Sequence, residues 1–373
     1  MVTRGQHRRR RSRRAQLTLI ALLALGAAGA WMTLRSTPSP RMVAATTTTS
    51  TSVPAVPFDM SFAGDTELGS SPIVPSNPAA YLLPLRSALH APIEFANLEG
   101  TMTARGYSKC GVGHSFCYAF RVPTATASAY ASMGFNVLNS ANNHSHDFGS
   151  VGAADTSNAL IAAGISQTGL PGQIAYRTIE GRKIAIIGFA PYSSTNNLLN
   201  SVAARQLITF ARTHADFVVV YMHTGAEGSS AVHVTGSSEF YVGENRGNPL
   251  LFAHNAVDAG ADLVVASGPH VLRGMEFYHH HLIAYSLGNF VNYQNFGTGG
   301  VLSLSGILHV ALNTNGTVHS ASFVSVTLTR SGQGIPDPSG AALRLVKNLS
   351  TEDFGANAAQ FSPSGIITPP AKS

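Results

Sequence analysis

Residues 134–149, GFNVLNSANNHSHDFG, set a short apolar run against a dense group of polar side chains. The run 135–138 has the length and bounding of a buried strand, and Asn142, Asn143 and His144 follow almost at once. Neutral imidazole is the commonest protein ligand for metals, and an amide oxygen is a hard donor. Taken alone, the stretch supports two readings. One is a ligand set at a strand end; the other is a polar turn in which Asn143 or Asp147 caps the next helix. The same arrangement recurs elsewhere. Asp65 follows an apolar run at 58–63, and Asn97 and Glu99 follow one at 93–96. His223 ends the β-branched run 216–221, with Glu227 four residues on, and His270 follows 262–266. One such end is noise. Five of them, converging from distant positions, are the layout of a metal-dependent hydrolytic site.

The elements that must position these residues alternate strand, polar tip, helix. Strands are expected at 58–63, 93–96, 135–138, 184–189, 216–221, 262–266 and 282–286, and helices at 151–164, 201–214 and 248–260. That order predicts α/β architecture with its site at the carboxyl ends of the strands. His279, His280 and His281 resemble a metal tract but fall between two strand-like runs, so they read as a surface hairpin turn. Runs 306–312 and 317–328 flank Asn313-Thr314-Asn315-Gly316, a strong hairpin signal, and are expected to complete the edge of the fold. From 331 to 373 the Gly, Pro and Ser content predicts an irregular tail.

Composition bounds the rest. Of 373 residues, 44% are hydrophobic and 11% charged, enough for a real core and too little charge for a disordered chain. The net charge is +6, but seven of the 24 basic residues are arginines within the first 14 positions. The remainder is near neutral, which argues against nucleic acid as a partner. Behind the arginines, 16–34 is apolar, uncharged and about the length of a membrane span. It reads as an uncleaved anchor with the arginines in the cytoplasm, or as a signal peptide cleaved near Ala30. Either places the remaining chain outside the cytoplasmic membrane. Residues 35–57 have the Thr/Ser/Pro composition of a linker. In an exported chain, Cys110 and Cys117 read as a disulfide closing a small loop. The competing zinc site with His114 lacks a fourth ligand.

In order along the chain, FAGDTELG (62–69), ANLEGTMT (96–103), the stretch 134–149, AAGISQTG (162–169), VVYMHTGAE (219–227), DAGADLVVASGPHVLRGMEFY (258–278) and IAYSLGNFV (283–291) resemble the CapA family of poly-γ-glutamate capsule-synthesis proteins. That family lies in the calcineurin-like metallophosphoesterase superfamily. The resemblance covers roughly 58 to 295, within a domain taken as 58–330, and implies a four-layer α/β/β/α sandwich of the metallophosphoesterase type. It implies one or two divalent ions (Mn, Mg or Zn) held by Asp65, Glu99, Asn143, His223 and His270. His144 and Glu227 become the candidate catalytic groups. Glu67, Asn97, Asn142 and Asn289 become substrate-contacting or supporting residues, and His146 falls to surface or packing. Two positions depart from the family pattern: Glu67 stands where the superfamily has a histidine, and Ser267 and Gly268 stand where many relatives carry another. The resemblance implies a role in making, tethering or trimming an anionic polymer such as poly-γ-glutamate, with membrane synthase subunits as partners. A non-catalytic scaffold that binds polymer or synthase, and a phosphoesterase acting on small phosphoesters, are the alternatives.

Overall fold

The computed structural model describes residues 57–111 and 117–371. The arginine-rich leader, the apolar stretch 16–34 and all but the last residue of the 35–57 linker lie outside the described residues.

The first strand, Phe58–Glu67, shows how the layers arise. Adjacent residues of a strand face opposite ways. Phe62 therefore enters the core between two sheets, and Ala63 packs under the helices outside. The sheet containing this strand runs in the order Gln360–Phe361, Ile366–Thr368, Val318–Leu328, Leu304–Leu312, Phe58–Glu67, Ile93–Leu98, Val137–Asn139, Ser166–Thr168. Its last four strands pair in parallel. The second sheet runs Met275–Tyr278, His281–Ala284, Leu263–Ser267, Phe217–His223, Arg182–Phe189, Ala175–Ile179. Strand Phe217–His223 splits the same way: Val219 and Tyr221 face the first sheet, while Val218 and Val220 face the outer helices. Phe95 and Tyr221 meet across the sheets with ring centroids 4.7 Å apart. Helices Ala127–Met133 and Gly149–Ala162 cover the first sheet, and Ser201–Arg212 and Pro249–Asp258 the second. The result is the expected four-layer α/β/β/α sandwich.

Several expectations need correction. Strand 58–63 continues to Glu67, so Asp65 is part of a ladder rather than a loop after it. The strand expected at 135–138 is Val137–Asn139. The strand expected at 282–286 is His281–Ala284. The chain then crosses to the other sheet, where Asn289–Asn292 pairs in parallel with the end of Phe58–Glu67. Gly64 permits that approach, because a Cβ there would sit 1.9 Å from the Gly288 carbonyl oxygen. The hairpin Leu304–Leu312 and Val318–Leu328 lies inside the sheet, next to Phe58–Glu67, and not at its edge. The irregular tail is also overturned. Residues Ala341–Phe354 form a helix whose Ala342 and Val346 enter the core between the sheets, and Gln360–Phe361 and Ile366–Thr368 add two strands. The histidine run is a turn, with His279 and His280 at positive φ between the paired strands Met275–Tyr278 and His281–Ala284.

Candidate metal centre

Parallel strands place their carboxyl ends on one side, so residues that end successive strands meet there. Asp65, Glu99 and His223 come together in this way, all buried, with ligand atoms within 4.8 Å of one another. His270 joins them from the turn after Leu263–Ser267, at a φ of 59°. That is the left-handed region a non-glycine residue seldom adopts, and such backbone clusters at functional sites.

Glu99 is the centre of the arrangement. Nε2 of His270, His223 and His144 lies 3.6, 3.8 and 4.0 Å from its Oε1. Among the described residues, both Glu99 oxygens and Nε2 of His270 are buried without a hydrogen-bond partner. These gaps are too long for hydrogen bonds. They suit atoms sharing one cation, since ligands about 2.0–2.2 Å from an ion stand roughly 3–4 Å from each other. Buried acceptors without donors are costly, and a divalent ion would answer that cost here. The donor set, carboxylates with imidazoles, fits such an ion.

Asp65 is satisfied differently. Its Oδ1 accepts from Asn97 Nδ2 at 2.7 Å and from the Ser267 hydroxyl, and its Oδ2 accepts from the Gly268 amide at 3.2 Å. Nδ1 of His223 and of His270 stand 3.5 and 3.3 Å away. Burial pushes the Asp65 carboxyl up, but the two imidazoles outweigh it and hold it far below the usual range. Glu99 has no hydrogen bonds to oppose its burial and is held well above its ordinary value. Burial lowers His223 and His144. Burial would also lower His270, but Glu99, Asp65 and Glu227 outweigh it and raise it to about 10.

Asn143, Asn97, Asn142, Asn289 and Glu227 lie around these. Asn143 Oδ1 lies 3.0 Å from His223 Nε2. Asn97 accepts on Oδ1 from Asn139 at 2.7 Å and from Asn142 at 3.1 Å, and Asn142 in turn accepts the His144 amide at 2.9 Å. Asn289 Oδ1 lies 2.8 Å from His270 Nδ1. Glu227 stands 3.7 Å from His270 Nε2 and pairs with Arg246 at 2.7 Å. Its carboxyl is raised by burial, but His270 and Arg246 outweigh this and bring it below the ordinary value. Glu67 is buried, accepts from Asn295 Nδ2, and is pushed up to about 8 by burial. It lies outside the Asp65/Glu99/His223 group. His146 is half-buried, with its Nδ1 3.1 Å from Ser145 Oγ. Cys110 and Cys117 are joined, which removes the zinc alternative.

Asp147 was missed as a site residue. Neither it nor Asn143 caps the next helix, which starts behind Phe148 without a side-chain cap. Instead Asp147 Oδ2 accepts from the Phe120 amide at 2.6 Å and lies 2.8 Å from His144 Nδ1. Lys109 Nζ reaches Asp147 Oδ1 at 2.7 Å and the Asn143 carbonyl at 2.9 Å. A carboxylate on Nδ1 fixes the tautomer and leaves the Nε2 lone pair facing the site. Phe120 packs tilted against His144 and Phe296 stacks on His270, with centroids 4.4 and 4.3 Å apart.

The family model described as "Bacterial capsule synthesis protein PGA_cap" matches residues 59–294. The chain is 34% identical over 176 residues to the PGA biosynthesis protein CapA of Bacillus subtilis, covering 43% of each. It is 31% identical over 253 residues to the capsule biosynthesis protein CapA of Bacillus anthracis, covering 61% of this chain and 56% of that protein. The chain spans about half the length of the curated relatives it matches. Among solved structures it is similar to a putative 5'-nucleotidase from Staphylococcus aureus, at 15% identity and a TM-score of 0.41 over 78% of this chain and 58% of that one. A 5'-nucleotidase precursor from Thermus thermophilus gives 14% and 0.41 over 80% and 59%.

Proposed function

Because the chain belongs to the bacterial capsule synthesis protein PGA_cap family, we propose that it makes or processes poly-γ-glutamate or a related anionic cell-envelope polymer at a divalent-metal site. The observation that carries this reading is Glu99, whose two buried oxygens lack partners while three imidazoles face one of them. Asp65, Glu99, His223, His270 and Asn143 would hold the ion. A divalent ion there supplies Lewis acidity toward a carbonyl or phosphoryl oxygen. The protein's own part is the handling of protons. His144, oriented by Asp147, presents its Nε2 lone pair toward the cluster and is placed to take up a proton there and pass it on. Glu227, held below the ordinary carboxyl range, is placed to accept one. The chain would work outside the cytoplasm, tethered through residues 16–34 or released after cleavage near Ala30, beside membrane synthase subunits.

A scaffold that binds polymer without chemistry is the second reading. It draws on Ser267 and Gly268, which occupy Asp65 oxygens at positions where the family pattern often has a histidine. Metal analysis of the purified chain, together with polymer yield and length in a His144→Ala strain, separates the two. Copurifying Mn, Mg or Zn and altered polymer length are expected. If no divalent ion binds and the polymer is unchanged, the enzyme reading fails.

A further inference from the structure

Beside the metal cluster lies a cavity of about 360 Å³, lined in part by Lys109, Tyr118, His144, Glu227, Tyr241 and Arg246. Two segments distant in sequence contribute to its walls. One is the pair of residues flanking the disulfide Cys110–Cys117, with Lys109 before it and the exposed Tyr118 after it. The other is the hairpin Glu239–Tyr241 and Glu244–Gly247. Its tip carries Val242 at a φ of 49°, 69% exposed. A β-branched residue in the left-handed region is a real outlier, and such strain collects at ligand clamps. The hairpin is held against the core by Glu239, which receives both Arg273 Nη atoms, at 2.9 and 2.7 Å.

Arg246 is the unusual residue of this wall. It is 1% exposed. Its carbonyl accepts from the Thr224 hydroxyl and from the Gly225 amide at 3.0 Å, just beyond His223. Nη1 pairs with Glu227 Oε1 at 2.7 Å. Nε and Nη2 are buried and have no hydrogen-bond partner among the described residues. A guanidinium is always charged, and its donors form a rigid fork that matches a carboxylate or phosphate. A buried guanidinium with donors unmet in the wall of a cavity is a group that an oxyanion would satisfy. Lys109, paired with Asp147, and Glu244, 3.8 Å from Arg246 Nη1, also line the cavity. The exposed rings of Tyr118 and Tyr241 offer apolar faces for methylene segments. The volume suits a small ligand or one or two units of a chain.

We propose that this cavity is the subsite for an acidic chain and that Arg246 is its specificity-determining residue, receiving a ligand carboxylate on its unmet nitrogens. This rests on the reading that the site handles a γ-glutamyl polymer. The test is calorimetric binding to the full chain of a short γ-linked glutamyl oligomer and, separately, of inorganic phosphate. Wild type, Arg246→Lys and Arg246→Gln are compared, with thermal unfolding as the control for folding. Arg246→Lys keeps a cation for Glu227 but removes the fork, so a merely structural role leaves its binding unchanged. The expected result is oligomer binding by wild type, weakened about tenfold or more in both variants. Equal affinity in a folded Arg246→Lys overturns the proposal and leaves the polymer reading standing. If wild type binds phosphate but not the oligomer, and Arg246→Lys weakens phosphate, the acidic-chain occupant falls together with the polymer reading. Binding of neither overturns the subsite altogether. Should Arg246→Gln fail to fold, Arg246→Lys decides the question.

Discussion

Asp147→Asn changes no volume and removes one buried charge. In the native site Asp147 Oδ2 faces two donors, the Phe120 amide at 2.6 Å and His144 Nδ1 at 2.8 Å, while Oδ1 faces Lys109 at 2.7 Å. An asparagine cannot serve all three. With its oxygen toward Phe120 and His144, its amide nitrogen confronts the Lys109 ammonium. Flipped, it sets donor against donor at Phe120 and forces His144 Nδ1 to accept, which moves the ring proton to Nε2. A hydrogen bond to a charged group contributes about 1.5–3 kcal/mol. The Lys109 side chain is 34% exposed and can turn to water, so its share is discounted. The expected net loss is about 2–3 kcal/mol of folding stability, read by denaturant unfolding in chelator. Loss of the His144 tautomer should also weaken metal binding or activity about 10- to 100-fold, the usual cost of removing an orienting partner. A folded Asp147→Asn protein within about 0.5 kcal/mol of wild type, with unchanged activity, would refute the assignment of Asp147 as the residue that orients His144.

Three further outcomes follow from the same structure. Glu99→Gln should raise the melting temperature in chelator, because it relieves a buried carboxylate without partners, and should abolish the stabilisation that added Mn²⁺ gives wild type; a variant still stabilised by Mn²⁺ would contradict the ligand set. Val346→Ala should cost about 2 kcal/mol, since this side chain is fully buried between the sheets, and a chain truncated after residue 330 should lose cooperative unfolding; wild-type stability in either would return 331–373 to the status of a tail. His309 is depressed to about 4 by burial and by its neighbour His90, below the ordinary histidine value of 6.5. The unfolded chain therefore binds a proton that the folded chain refuses, and stability falls as pH drops from 6.5 toward 4. His309→Gln should flatten that part of a pH–stability curve, and an unchanged slope there would show that His309 is not the group responsible.

The strand ends were legible because a β-branched run announces where a strand stops. Val218, Val219 and Val220 locate His223, and Val264 and Val265 locate the turn carrying His270. What lay beyond them depended on contacts that no local spacing encodes. Asp147 stands three residues after His144, but its role is defined by Lys109 and the Phe120 amide, both distant in the chain. Asn289 reaches His270 only because the chain changes sheets after Ala284, a crossing that the apolar run 282–286 concealed. The C-terminal helix was overlooked because Gly, Pro and Ser dominate the segments on either side of it. Its own Ala342, Val346 and Leu349 carry the helical spacing that buries one face. Ser267 is the most instructive case. Against the family pattern it reads as a missing imidazole. In the structure its hydroxyl donates to Asp65 and accepts from the Tyr221 hydroxyl. The position is therefore an element of support for Asp65: a buried relay from the sheet interior holds the aspartate, and the unmet acceptors of the cluster are left on Glu99.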